Sequence, residues 1–247
     1  MIEELIEALH LKKGEVISLV GGGGKTTLMF HLAHGLVQKG FKVITTTTTK
    51  IKELSREEAS LLLLGEEERV LSELKTHQDI PHITLAREKT QEEKLKGFSP
   101  EFIKELSRWA DLVIVEADGS KGRPIKVHGP NEPVVPECTT LFIALLGAEG
   151  LGKPFSEQWV FRFEEALKFF DLKPGDLMSP EVLKRLFLQR EGLMKGKPEG
   201  AKSFVFINKV EGEERLELAL KLAFELKKEG IWVALGSLYE RKFTEGF

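Results

Sequence analysis

Short apolar runs recur along the chain, each closing on glycines or polar residues, with amphipathic stretches between them. Val16-Ile17-Ser18-Leu19-Val20 is the first, and residues 15–20 predict a strand. Residues 26–39 follow as an amphipathic helix closed by Gly40. A second strand, 41–46, is apolar at Phe41, Val43 and Ile44 and runs into a threonine tract, Thr45 to Thr49, and then Lys50. Residues 53–76, rich in Leu, Glu and Lys, predict helix, and 82–86 a short strand. Ser99-Pro100-Glu101 opens another helix, because serine caps, proline suits the first turn and glutamate favours the dipole. The runs at 111–116, 141–146 and 204–207 are almost continuously apolar, as strands buried on both faces are. Residues 213–229 predict a helix and 231–235 the last strand. Between 157 and 197 two or three helices are expected, one opened by Ser179-Pro180-Glu181. Phe161, Phe163, Phe169, Phe170 and Met178 in that stretch read as the core of an insertion.

Strands alternating with helices predict an α/β fold: a mainly parallel sheet in three layers, with ligands at the carboxyl ends of its strands. The length of 247 residues suits one domain over the whole chain, with a helical insertion at about 150–200. A formal net charge of −3, with acids and bases interleaved, argues against a nucleic-acid footprint. The single cysteine, Cys138, excludes an internal disulfide, and no apolar stretch is long enough for a membrane span or signal segment, so the chain reads as cytoplasmic. Cys138 and the histidines, His31 and His34 included, show no metal-ligand spacing.

The chemistry is concentrated at the predicted strand ends. The first strand runs into Gly21-Gly22-Gly23-Gly24-Lys25-Thr26-Thr27 at the start of a helix. Glycines let the backbone turn several N–H groups toward one phosphate, and the helix N-terminus adds donors and a positive dipole end. Lys25 would neutralise the β- and γ-phosphates of a nucleoside triphosphate, and the Thr26 hydroxyl would ligate Mg²⁺. Leu19 stands where the common spacing has its first glycine, and Val20 where one subclass carries a lysine.

Two further strand ends fit that site. Residues 111–116 end in Glu116-Ala117-Asp118-Gly119, a carboxylate pair placed to hold Mg²⁺ or orient water, with a glycine that lets backbone approach the γ-phosphate. Residues 204–207 end in Asn208-Lys209-Val210-Glu211. In G domains the same place reads Asn-Lys-x-Asp, and its acid accepts hydrogen bonds from guanine. Glu211 is one methylene longer, so GTP and ATP both stay open. Gly236-Ser237-Leu238 after the last strand sits where G domains lay a small-residue loop over the base. Directly after Glu116, the stretch 121–133 is cationic and proline-rich, and Lys121, Arg123, Lys126 and His128 are expected to clamp a triphosphate or an anionic substrate. One of Thr47 to Thr49 is expected to face the site.

Together, GGGGKTT, TTTTTKI, VIVEADGSKGRPIK, NEPVVP and the late NKVE resemble the selenium-dependent molybdenum hydroxylase accessory family, also called selenium cofactor biosynthesis protein YqeC, from about residue 14 to 240. The resemblance implies a P-loop NTPase tied to maturation of a molybdenum hydroxylase, with that enzyme or its cofactor as partner. More broadly, Glu116 with Gly119 is similar to the pattern of metallochaperone GTPases. The family likeness carries Gly21, Gly22, Gly23, Gly24, Lys25, Thr26 and Thr27 to phosphate and Mg²⁺ binding, Glu116 to the Mg²⁺ and water role, and Asn208 with Lys209 to the base. On this reading Glu116 or Asp118 orients the water, and Lys25 with Arg123 stabilises charge on the γ-phosphate. A small-molecule kinase or ATP-dependent ligase with an anionic acceptor, and a nucleotide-gated binding module that never hydrolyses, remain alternatives. A homodimer is one expectation, since many switch NTPases dimerise across the nucleotide.

Overall fold

The computed structural model describes residues 2–52, 60–92 and 94–244. Its centre is a nine-stranded sheet. From one edge to the other the strands are Lys242–Thr244, Val233–Ser237, Lys202–Asn208, Leu141–Gly147, Glu15–Gly21, Leu112–Glu116, Val43–Thr47, His82–Ala86 and Leu62–Leu64. All neighbours pair in parallel except the edge strand Lys242–Thr244, which is antiparallel.

Alternation along each strand divides the core into two faces. Ile17, Leu19, Ile114 and Ile143 point to one, where the helices Ile2–Leu9 and Lys25–Gln38 bury Leu5, Ile6, Leu28 and Leu32. Val20, Ala144, Leu146 and Val205 point to the other, covered by Glu213–Lys228 and by the insertion between residues 147 and 202. Val16, Val113 and Val115 continue that second face under the helices Glu67–Thr76 and Pro100–Leu106. Helices therefore cover both faces of the sheet, as the alternation predicted.

The insertion holds three short helices, Phe163–Phe170, Pro180–Leu183 and Arg185–Leu188. Ser99 and Ser179 each cap their helix by accepting a hydrogen bond, from the Phe102 and Val182 amides. Phe170 and Met178 are fully buried and Phe163 packs against the same cluster, so that part of the aromatic stripe is core. Phe161 is the exception and faces the site described below.

The threonine tract shows how polar residues enter a buried strand. All five residues of Val43–Thr47 are buried. The Thr45 hydroxyl shares a hydrogen bond with Thr84 at 2.7 Å, Thr46 donates to the Leu85 carbonyl at 2.9 Å, and Thr47 donates to the Glu116 carbonyl at 2.7 Å. Each hydroxyl finds a partner on a neighbouring strand, which removes the penalty of burying it.

Two expectations need correction, and one element is new. The stretch 53–76 is not one helix: residues 53–59 lie outside the described residues, Leu62–Leu64 is an edge strand, and the helix is Glu67–Thr76. A run of leucines fits either element, and pairing with Thr84–Ala86 decides for strand. The last parallel strand lies two residues later than expected, at Val233–Ser237, so Ser237 belongs to the strand rather than to a loop after it. A three-stranded antiparallel flap, Lys50–Lys52, Lys94–Lys96 and Glu88–Lys89, was not predicted.

Candidate functional site

The sheet register brings the chemistry together. Glu116 pairs with Leu19 on one side and Thr47 on the other, and Gly147 pairs with Asn208. The glycine loop, Glu116 and Asn208 therefore meet along one edge, at the carboxyl ends of parallel strands.

The glycine loop is shorter than the common spacing requires, because the strand continues through Gly21 and the helix starts at Lys25. Gly21 (φ +99°) and Gly23 (φ +82°) hold left-handed backbone. A Cβ at Gly21 would strike the Leu145 carbonyl, so only glycine fits there. The amides of Gly21, Gly22 and Gly23 are already engaged, with Asp118 Oδ2 at 2.9 Å, the Leu145 carbonyl at 3.0 Å and the Arg123 carbonyl at 3.1 Å. The first turn of Lys25–Gln38 has no side-chain cap. Its first N–H groups have no side-chain partner, and with the dipole end they form the kind of helix start that favours an anion.

Lys25 is buried beneath that turn. Its ammonium donates to the Gly21 carbonyl at 2.7 Å and lies 3.2 Å from Asp118 Oδ1 and 3.6 Å from Glu116 Oε1. The contact with Asp118 Oδ1 is an ion pair without hydrogen-bond geometry, since that oxygen has no hydrogen-bond donor. Burial opposes the charge on Lys25, but the two carboxylates outweigh it and its pKa is raised. Thr26 donates to Glu116 Oε2 at 2.7 Å. Burial pushes Glu116 above the usual carboxylate range despite the pull of Lys25 and Thr26.

Asp118 is buried completely. Its Oδ2 receives the Gly21 amide, lies 2.8 Å from His128 Nε2 and 3.2 Å from Lys126 Nζ. Burial works against the carboxylate, yet Lys25, His128 and Lys126 together hold its pKa well below the ordinary value. Lys126, also fully buried, reaches Glu132 at 3.0 Å, and Glu132 in turn accepts from Arg162 at 2.7 Å. His128 Nδ1 sits 3.1 Å from the Gly192 carbonyl in the insertion.

Of the four cationic residues expected to clamp an anion, Lys126 and His128 are buried within this network and Arg123 donates to the Glu157 carbonyl at 2.8 Å. Lys121 alone faces the cavity. That cavity, about 610 Å³, is lined by Gly24, Lys25, Thr26, Thr27 and Glu116 on one side and by Thr49, Lys50, Lys94, Lys121 and Phe161 on the other. Thr49 is the member of the threonine tract that faces the site. Lys50, Lys94, Glu132 and Phe161 complete that lining; no spacing marks them as site residues, although TTTTTKI contains Lys50 and NEPVVP contains Glu132.

Asn208 anchors the opposite flank. Its Nδ2 donates to the Gly23 carbonyl at 2.8 Å and its Oδ1 accepts the Leu238 amide at 3.1 Å. Glu211 accepts from the Ser237 hydroxyl at 2.8 Å and pairs with Arg215 at 3.1 Å, while Lys209 pairs with Glu149. The segment Gly236-Ser237-Leu238, strand through Ser237 rather than a loop, thus meets Asn208 and Glu211.

A buried strand, a glycine turn, Lys-Thr-Thr and an uncapped helix at the carboxyl edge of a parallel sheet define a P-loop α/β protein. The model of the YqeC protein family matches residues 17–164. YqeC of Escherichia coli (strain K12) is 30% identical over 242 residues, covering 93% of this chain and 90% of that protein. The chain belongs to the YqeC family. Among solved structures, the signal recognition particle 54 kDa protein of Aeropyrum pernix K1 in complex with GDP superposes with a TM-score of 0.42 at 17% identity, covering 98% of this chain and 48% of that one. PAB0955, a GTPase from Pyrococcus abyssi in apo form, gives 0.36 at 17% identity, covering 93% and 92%. Likeness at these scores carries no functional argument.

Proposed function

We propose that this YqeC-family protein binds a nucleoside triphosphate with Mg²⁺ and hydrolyses it, as an accessory factor in maturation of a selenium-dependent molybdenum hydroxylase. One observation carries the nucleotide reading: the Thr26 hydroxyl and Glu116 converge at 2.7 Å beside Lys25, at the first turn of a helix that no side chain caps. Among the described residues no group of three or more His, Cys, Asp or Glu could hold a metal. The hard oxygens of Thr26 and Glu116 suit Mg²⁺, which takes few protein ligands and the rest from phosphate and water. When bound, the ion would neutralise phosphate charge.

The chain's own groups divide the remaining work. The N–H donors of the first helical turn hold the phosphates, and Lys25 balances charge on the γ-phosphate as it breaks away. In hydrolysis a water oxygen bonds to the γ-phosphorus, the bond to the β–γ bridging oxygen breaks, and nucleoside diphosphate, phosphate and a proton result. Glu116, facing the cavity with a raised pKa, is the group suited to orient that water. Asp118 has its Oδ2 filled by protein donors, so it acts on the site through Gly21 and Lys25. Guanine or adenine would lie toward Asn208 and Glu211. The family likeness supports the client, a molybdenum hydroxylase or its cofactor.

Calorimetric titration with Mg²⁺ and non-hydrolysable GTP and ATP analogues tests the site. Thr26→Ala is expected to weaken Mg²⁺-dependent binding at least about tenfold, a loss of ~1.4 kcal/mol. Lys25→Ala strands two buried carboxylates, so Lys25→Arg, which keeps the charge, accompanies it with circular dichroism as the check on folding. A folded wild-type protein that binds neither analogue would sink the nucleotide reading. Tight binding without phosphate release, with or without a client, would leave a binding module.

A further inference from the structure

The cavity extends beyond what the phosphates need. At about 610 Å³ it falls in the range that encloses a whole small molecule, roughly 300–1,000 Å³. On the reading above, the base lies toward Asn208 and Ser237, two and three strands to one side of the loop strand Glu15–Gly21. The lysine wall lies on the other side, where Lys50 follows the strand Val43–Thr47 and Lys94 comes from the flap. A nucleotide held between Asn208 and the helix turn therefore leaves the space across its γ-phosphate unfilled.

The charge in that space is only partly balanced from within, since Glu92, beside Lys94, is the one carboxylate that Lys50, Lys94 and Lys121 all act on among the described residues. Glu116 faces Lys25, and Glu132 is taken by Lys126 and Arg162. Lys94 pairs with Glu92 at 2.5 Å. Lys50 and Lys121 are exposed, and neither makes an ion pair within 4 Å among the described residues. Lys121 holds left-handed backbone (φ +47°) before Gly122 and lies 5.7 Å from the Phe161 ring centroid, so a tight turn presents its ammonium beside an aromatic face. Lysines bind phosphate as point charges, and none of the described lining residues is an arginine with the planar fork that pairs bidentately with carboxylate or phosphate.

We propose that Lys50, Lys94 and Lys121, with Ile51 and Phe161 as the apolar surface, bind a second ligand next to the γ-phosphate: a small phosphate monoester with a ring or other apolar body. This rests on the nucleotide reading of the neighbouring loop, and it names the class of molecule the hydrolysis acts beside.

Pyridoxal 5′-phosphate is the probe, being a phosphate monoester whose ring carries an aldehyde. A lysine amine adds to the aldehyde with loss of water, borohydride reduces the C=N bond, and peptide mass mapping locates the label. Label is expected on Lys50, Lys94 or Lys121 at probe concentrations at least about tenfold below those that label other exposed lysines, given charge-assisted phosphate contacts. It should be suppressed by inorganic phosphate and persist with Mg²⁺ and a non-hydrolysable nucleotide analogue bound. Lys50→Gln/Lys94→Gln, both on the flap, should weaken probe binding about tenfold and leave nucleotide affinity within about twofold. Even labelling of all exposed lysines overturns the proposal. So does label at these lysines that vanishes on nucleotide binding, because the wall then grips the triphosphate itself. Focused label in a protein that binds no nucleotide would sink the nucleotide reading and leave the lysine site standing.

Discussion

The two flanks of the glycine loop are fastened by different physics. On one, Asn208 ties the Gly23 carbonyl to the Leu238 amide with neutral hydrogen bonds. On the other, Asp118 ties the Gly21 amide to the Lys25 and Lys126 ammoniums and to the His128 ring, in complete burial. Neutral bonds are cheap to bury and indifferent to pH, so they fix a position. Buried charges carry a desolvation cost and depend on every partner being present, so they respond when a new charge arrives. The neutral flank is where a base would be read, and the charged flank is where phosphate charge would change on hydrolysis.

The largest effect expected from this contrast is at Asp118. Asp118→Asn keeps the shape but leaves Lys25, Lys126 and His128 around a neutral amide, and breaking a buried pair typically costs about 3–5 kcal/mol. Asn208→Ala removes two neutral partners of backbone groups and should cost about 1–3 kcal/mol. Urea denaturation of both variants is the measurement. An Asn208 variant less stable than the Asp118 variant would break the comparison.

The sequence made these two flanks unequally legible. Asn208 could be read because its strand is a clean apolar run and the tetrapeptide at its end has a known geometry. Glu116 and Asp118 stood out for the same reason, as carboxylates closing Val-Ile-Val. What periodicity does not encode is which charges are buried together. Lys126 and His128 sit in a loop that looks solvated, and only the fold packs them against Asp118 and Gly192, over 60 residues apart for the His128 contact. The flap escaped notice because its strands, such as Lys94–Lys96, are too short to show alternation, and their lysines look like surface residues until a cavity forms beneath them. The amides of Gly21, Gly22 and Gly23 were expected to face phosphate, and their pairing with Asp118, Leu145 and Arg123 is a matter of tertiary contact that no local pattern records.

A second test uses pH. His82 is buried with its pKa lowered to about 4 by desolvation, with His34 adding to it. The unfolded chain takes up a proton as pH falls below about 6.5 while the folded one resists. Stability therefore drops between pH 6.5 and about 4, by at most about 3 kcal/mol. His82→Leu should remove that limb, and the Thr45 hydroxyl keeps Thr84 as its partner. Asp118 has the opposite history: its folded pKa is depressed, so its contribution is present above the ordinary carboxylate value and is lost as pH falls through and below it. In the His82→Leu background, the remaining acid limb should shrink with Asp118→Asn and be unchanged by Asn208→Ala. An equal change in both variants would mean that the charged flank is not what responds to acid.

The smallest effect on stability is the sharpest test of the neutral flank. Arg215 pairs with Glu211 four residues earlier on a partly exposed surface, and such pairs contribute roughly 0.3–0.5 kcal/mol. Arg215→Ala should leave the melting curve almost unmoved. Its effect on binding is different, because Glu211 keeps Ser237 on one oxygen and gains a free acceptor on the other. Guanine offers adjacent N1–H and N2–H donors to a carboxylate there, and adenine has no donor at either position. If Glu211 reads the base, affinity for the GTP analogue should rise at least about tenfold, the scale of one hydrogen bond to a charged group, ~1.5–3 kcal/mol, with the ATP analogue unmoved. If both analogues bind as before, Glu211 only holds Ser237 in place and Asn208 is an anchor for the loop. The neutral flank would then position the site without choosing the nucleotide, and selectivity would have to come from the charged one.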